Sequence, residues 1–123
     1  MANMGLGLGF EGIEEIDEAI KWIETALKIN SENMAALYTI VKLAHDTADY
    51  EKGIFWLNQY LERHPNDPEM LYALSGLHLK SGHFEEVKKI ANHILQMDPA
   101  SQRALTLVKQ VNRAQLKLKQ QRA

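Results

Sequence analysis

Cysteine is absent from this chain of 123 residues, and no stretch of about 18 apolar residues occurs in it. The lack of thiols excludes disulfides, cysteine nucleophiles and cysteine-ligated zinc. The lack of a long apolar run argues against insertion into a membrane. The first ten residues, MANMGLGLGF, lack the basic start and the apolar length of a secretory signal. We therefore expect a soluble chain that is cytoplasmic by default.

The composition is that of one small folded domain. Hydrophobic residues make up 46% of the chain and charged residues 24%, which is ordinary for a globular protein. The net charge of −2 conceals a gradient: residues 1–33 carry seven acidic and two basic side chains, whereas every charged residue after Asp98 is basic. Solvated helix faces explain this gradient, and so does complementarity between copies or with a charged partner. The basic end has no interleaved aromatic residues, so nucleic acid is not an expected partner.

A repeat of 34 residues organises the sequence. When the chain is shifted by this distance, the following residues align: Leu37 with Leu71 and Leu105, Ile40 with Leu74 and Val108, Leu27 with Leu61 and Leu95, and Pro65 with Pro99. Apolar residues within each unit recur at the three-and-four spacing of a helix face. The polar breaks HDTAD and KSGH are short enough for tight turns. The pattern predicts antiparallel helix pairs arranged as an array.

Local signals mark where helices start and how their surfaces are charged. In HPNDPEM, Asp67 is suited to cap a helix and Pro68 to occupy its first position, and in DPASQ Ser101 is suited to the same capping role. Three charge pairs at i,i+4 are expected to add about 0.3–0.5 kcal/mol each. These pairs are Asp17 with Lys21, Glu24 with Lys28, and Glu85 with Lys89.

Residues 15–99 resemble the tetratricopeptide repeat. The resemblance is carried by the unit length, by the second-helix openings DYEKG and HFEEV, by the small residues Ala19 and Gly53, and by the closing proline. It implies an all-α fold: an α-α superhelix of stacked antiparallel helical hairpins whose first helices line a concave groove. The chain departs from the family pattern at Leu37, where a large aromatic residue is usual, and at Val87, which occupies the small slot.

The repeat predicts five segments. They are an irregular or degenerate segment at 1–12, a half-repeat helix at 13–33, repeats at 34–67 and 68–101, and a C-terminal capping helix at 102–123. Each of the four glycines near the start costs about 1 kcal/mol relative to alanine in a helix, so we expect an irregular segment, with a degenerate helix as the alternative. The last segment has one apolar stripe and a polar opposite side, which is typical of a cap.

No catalytic or metal-binding pattern is present in the sequence. The five histidines form no i,i+4 pair with an acidic residue between them. The paired carboxylates are sequence neighbours that point in different directions on a helix, and Ser31 and Ser101 are assigned to helix starts. We therefore expect no enzymatic activity, no cofactor and no metal site.

The resemblance implies that the groove side of each first helix binds a peptide or helix. By register, the candidate residues are Tyr38, Lys42, His45, Tyr72, Lys80, Arg103, Thr106 and Gln110. Tyrosines beside basic residues suit a ligand with apolar anchors and some acidic character. The alternative for the two tyrosines is that they pack neighbouring repeats together. The pattern by which some family members grip chaperone C-termini is matched here only at Arg103, so such tails are not expected ligands.

The sequence thus predicts a non-catalytic adaptor or scaffold for a protein or peptide partner that the sequence does not identify. One alternative is a self-associating module that forms homo-oligomers. In such an oligomer another copy supplies the missing leading helix. Another alternative is an interaction segment of a larger enzyme or secretion component.

Overall fold

The structure, a computed structural model, describes residues 13–122, and the expectation for residues 1–12 lies outside them. The described residues form helices joined by short turns. The helices are α1 (Ile13–Ile29), α2 (Met34–Thr47), α3 (Tyr50–Arg63), α4 (Pro68–Ser81), α5 (Phe84–Met97) and α6 (Gln102–Arg122). The expected all-α architecture is confirmed, with helices following one another as hairpins. The segment boundaries given above remain a prediction.

Three helix starts are capped by residues spaced 34 apart. The Asn33 side chain accepts from the Ala36 backbone N–H at 3.1 Å and begins α2. The two equivalent residues, Asp67 and Ser101, accept from backbone N–H groups at 3.4 Å and 3.2 Å at the starts of α4 and α6. The capping predictions are confirmed for these two residues. The prediction for Ser31 is wrong, because the cap of α2 lies two residues further on.

The turns inside the hairpins also repeat. Ala48 follows α2 with a φ of 61°, and Gly82 follows α4 with a φ of 79°. Both residues therefore adopt the left-handed conformation that ends many helices. After α4, the backbone N–H groups of Gly82 and His83 donate to carbonyls of the last turn at 3.2 Å and 2.9 Å, which satisfies acceptors the helix leaves open.

The described residues fall into two compact units, which divide between Trp56 and Leu57 within α3. In the first unit α1 packs against α2. In the second unit α5 packs against both α4 and α6. Buried Val87 and Ala91 of α5 lie in one apolar cluster with Leu107 and Val111 of α6. Removing these side chains from water drives the helices together.

The surface ion pairs have other partners than predicted. On α1, Lys21 pairs with Glu18 at 4.0 Å, and Glu24 pairs with Lys52 of α3 at 3.4 Å. On α5, the pairs are Lys88 with Glu85 at 3.7 Å and Lys89 with Glu86 at 3.6 Å. Three of the four pairs have i,i+3 spacing, which also brings side chains together on a helix. Exposed pairs of this kind contribute about 0–1 kcal/mol each.

Within residues 13–122, none of the helices combines the length and the apolar character that crossing a membrane requires.

Candidate functional site

Two predicted site residues in the second unit are joined in one cluster. The Arg103 guanidinium lies over the Tyr72 ring, 3.8 Å from its centroid. Arg103 Nη1 also donates to Glu69 Oε1 at 2.9 Å. The Tyr72 and Ser101 hydroxyls are hydrogen-bonded at 2.6 Å. These contacts connect the start of α4 to the start of α6 and fix the orientation of the arginine.

The cluster changes the role expected of Tyr72. Tyr72 is half-buried and packs against the apolar cluster to which Val87 and Leu107 belong. The ring therefore supports Arg103, whose side chain is exposed, and does not itself stand free in solvent. A cation over an aromatic ring gains about 0.5–1 kcal/mol at an exposed site. The groove register also placed Glu69 on this surface, whereas Ser101 was predicted only as a cap, because its bond to Tyr72 depends on the contact between α4 and α6.

The remaining candidates in this unit extend the surface along both helices. Lys80 lies two turns after Tyr72 on α4, and Thr106 and Gln110 follow Arg103 on α6. All three are exposed. Between Tyr72 and Lys80 lies Gly76, where a Cβ atom would have no heavy atom within 4 Å. The middle of α4 therefore has uncovered backbone on the same side of the helix as Tyr72 and Lys80.

In the first unit, the candidates lie on α2. Tyr38 is 55% exposed, and Lys42, one turn later, is also exposed. His45 is half-buried, and its ring meets the ring of Tyr50 edge-on, with the centroids 6.2 Å apart. Tyr38 and Tyr72 are equivalent in the repeat but differ in environment. Of the two, only Tyr38 is an exposed aromatic side chain.

A second polar cluster, which the sequence did not predict, lies at the end of α3. The Tyr60 hydroxyl donates to Asp67 Oδ2 at 2.6 Å, and the His64 ring stacks on the Tyr60 ring with centroids 4.7 Å apart. His93 Nε2 lies 3.0 Å from the Pro65 carbonyl oxygen. An open depression of about 330 Å³ is lined by Tyr60, His64, Pro65, Asn66 and Asp67. The cluster connects α3 to the cap of α4, which gives it a structural role.

The histidines pack against other side chains and loops. His78 Nδ1 and His83 Nδ1 are 3.0 Å apart, so one ring donates and the other accepts. His45, His64 and His93 have the contacts described above. In the part of the chain that the structure describes, no three histidine, aspartate or glutamate side chains are grouped so that they could hold a metal ion.

Helix pairs with caps and turns that recur every 34 residues define a helical-hairpin repeat protein. The family model for the tetratricopeptide repeat matches residues 14–75 and again 49–111. The chain belongs to the tetratricopeptide repeat family. Proteins of this family generally act as protein-interaction modules and are typically not catalysts.

A solved structure agrees with this assignment. The chain is similar in fold to a tetratricopeptide repeat protein from Parabacteroides merdae ATCC 43184, with a TM-score of 0.67 and 21% sequence identity. The match covers 87% of this chain and 42% of that protein, so the chain spans less than half of its length. At this identity the likeness concerns the fold alone. No curated protein matches the chain in sequence.

Proposed function

We propose that the chain is a non-catalytic module that binds a peptide or helix of another protein. In the second unit the binding surface is formed by exposed sides of α4 and α6, and in the first unit the corresponding side of α2 is a binding surface of its own. The residues of these surfaces are Tyr38, Lys42, His45, Tyr72, Lys80, Arg103, Thr106 and Gln110. Membership of the tetratricopeptide family supports a role in protein interaction. The observation that carries the proposal is the fixed arginine above Tyr72.

The arrangement of Arg103 favours binding because the side chain is ordered before a ligand arrives. A guanidinium has five N–H donors, and the bond to Glu69 engages Nη1, which leaves donors for a ligand carboxylate or carbonyl. A long side chain that is already held loses less conformational freedom on binding. Lys80 adds a second positive charge on the same unit. The favoured ligand therefore carries acidic groups.

Gly76 gives the surface a place where a ligand backbone can approach the helix. The equivalent positions in the repeat hold Lys42 and Gln110, whose side chains would keep a ligand further away. At Gly76 no side chain and no neighbouring atom fills this space. Glycine in the middle of a helix costs about 1 kcal/mol relative to alanine. Close approach of a ligand gives this residue a function that offsets its cost.

The test starts from selection of a ligand. A display library of random peptides is selected against the immobilised full chain, and an enriched peptide is titrated against purified variants by calorimetry. Arg103→Ala is expected to weaken binding about tenfold or more. Gly76→Gln, which introduces the residue found at the equivalent position of α6, is expected to weaken binding similarly.

Two further variants define the controls. Arg103→Lys keeps the charge but loses the planar fork, so its binding is expected to lie between those of wild type and Arg103→Ala. Gln96→Ala on α5, an exposed substitution outside the surface, is expected to leave the affinity unchanged. Wild-type affinity in both Arg103→Ala and Gly76→Gln would overturn the proposal, and so would a library that yields no enriched sequence.

A further inference from the structure

One position of the repeat is buried in two helices and exposed in a third. Trp56 of α3 is 6% exposed and Ile90 of α5 is 8% exposed, but the equivalent Trp22 of α1 is 72% exposed. The Trp56 indole Nε1 donates to Glu24 Oε2 of α1 at 3.0 Å, and Lys52 Nζ lies 3.4 Å from the other oxygen. In the first unit, α1 thus contacts this position of α3. Among the described residues no helix does the same for Trp22.

A matching open side exists on α6. In α4, which packs against α5, three positions of one side are buried, whereas their equivalents in α6 are exposed. The buried residues are Leu71, Ser75 and His78, and the exposed equivalents are Leu105, Lys109 and Asn112. Leu116, 56% exposed, continues this side by one turn. Within the described residues α6 is the last helix. The side that is buried in α4 is therefore exposed in α6.

The helices α1 and α6 correspond to the two different helices of one hairpin. The α1 helix occupies the same part of the repeat as α5, and α6 the same part as α4. Val87, Ala91 and Ile94 of α5 are buried, whereas their equivalents in α1 are only half-buried. These equivalents are Ala19, Ile23 and Ala26. A pair made of α6 followed by α1 would therefore have the composition of one hairpin.

We propose that α6 of one copy packs beside α1 of a second copy, so that two chains together form one composite hairpin. In this arrangement Trp22 of the second copy lies against α5 of the first copy, because α5 then takes the place that α1 has beside Trp56 within the chain. The contact joins two different surfaces, so each pair retains one free α1 and one free α6, and further copies can add in a row. This association is independent of the peptide-binding surface proposed above.

Charge supports a contact between unlike ends. The α1 helix carries five acidic and two basic residues, whereas α6 carries six basic residues and no acidic one. Glu15 and Glu18 lie on the same side of α1 as Trp22, and Arg113 lies beside the open side of α6. Contact between α1 and α6 brings opposite charges together. Contact of two α1 helices or two α6 helices would bring like charges together, which is unfavourable.

Sedimentation analysis of the full chain tests the association. We expect wild type to form larger species as its concentration rises from low micromolar to near-millimolar, and to form fewer of them at high salt. Trp22→Ala and Arg113→Glu are each expected to raise the dissociation constant about tenfold or more. The double variant Asn58→Glu with Gln96→Glu, which changes the net charge as much as Arg113→Glu at exposed positions of α3 and α5, is expected to associate like wild type.

Mixing two blocked variants tests which surfaces meet. The single variant Trp22→Glu blocks the α1 side, and the double variant Lys109→Glu with Arg113→Glu blocks the α6 side. Each of these two variants alone is expected to be monomeric. Their mixture is expected to form a heterodimer of one copy each that grows no further, because one intact α6 meets one intact α1. Thermal unfolding followed by circular dichroism confirms that the variants are folded.

Other results would overturn the proposal. A wild-type chain that stays monomeric at all concentrations would do so. If such a monomer associated only after deletion of residues 1–12, the open side of α1 would belong to the N-terminal segment of its own chain. If either blocked variant still dimerised alone, or if their mixture stayed monomeric, the contact would not be that between α1 and α6.

Discussion

The hairpins α2–α3 and α4–α5 share a backbone pattern but not the side chains that produce it. One hairpin turns on Ala48 and the other on Gly82, both in the left-handed conformation. After each hairpin, the last residue of the turn caps the next helix. The cap is a carboxylate at Asp67 and a hydroxyl at Ser101. Conformation in this chain thus follows position in the repeat, while the energetic contribution of a position depends on its residue.

The largest difference between the hairpins lies in their cores. Leu57 of α3 and Ala91 of α5 are equivalent and both fully buried. We expect Leu57→Ala to lower the free energy of unfolding by about 2–5 kcal/mol, because it leaves a cavity. Ala91→Leu is expected to cost about 1–3 kcal/mol, because the added atoms have no space. Urea denaturation followed by circular dichroism measures both values. If Ala91→Leu were neutral, the two sites would not differ in the space available.

The caps are expected to differ by a smaller amount. Asp67→Ala removes a cap and also the hydrogen bond that the buried residue Tyr60 donates to Asp67, so we expect a loss of about 2–3 kcal/mol. Ser101→Ala removes a cap and the partner of Tyr72, but that ring is only half-buried and its hydroxyl can turn to water. We expect a loss of about 1–2 kcal/mol. The same denaturation experiment applies, and Tyr60→Phe in the Asp67→Ala background should recover part of the loss. A larger cost at Ser101 would reverse the comparison.

The turns give the smallest expected effects, with opposite signs. Gly82→Ala places a Cβ atom in the left-handed conformation and is expected to destabilise the chain by about 1 kcal/mol. Ala48→Gly removes that strain and is expected to stabilise it by about 0.5–1 kcal/mol. Urea denaturation of the two single variants and of the double exchange checks the pair. Equal signs for the two substitutions would contradict the equivalence of the turns.

Local patterns in the sequence were sufficient to predict most of the fold. The spacing of apolar residues predicted helices, and the 34-residue register predicted their pairing, because both depend on neighbours along the chain. The caps at Asp67 and Ser101 were predicted for the same reason. The left-handed turn at Ala48 was not predicted, because alanine gives no local signal for it. The register does give one, since Gly82 stands at the equivalent position.

Side-chain partners between helices were not predictable in the same way. The sequence paired Glu24 with Lys28 on its own helix, but the structure pairs it with Lys52 and Trp56 of α3. It proposed Tyr72 and Arg103 as separate members of a surface, whereas the structure stacks one on the other. Such contacts depend on rotamers and on the distance between helices, which spacing in the sequence does not specify.

Amide chemical-shift mapping of the full-length ¹⁵N-labelled chain with a selected peptide tests the proposed binding surface most directly. We expect the largest shifts at amides of α4 and α6, centred on Tyr72, Gly76, Arg103 and Gln110, with further shifts near Tyr38 if the peptide also engages α2. Shifts confined to α3 and α5, with α2, α4 and α6 unaffected at saturation, would contradict the account.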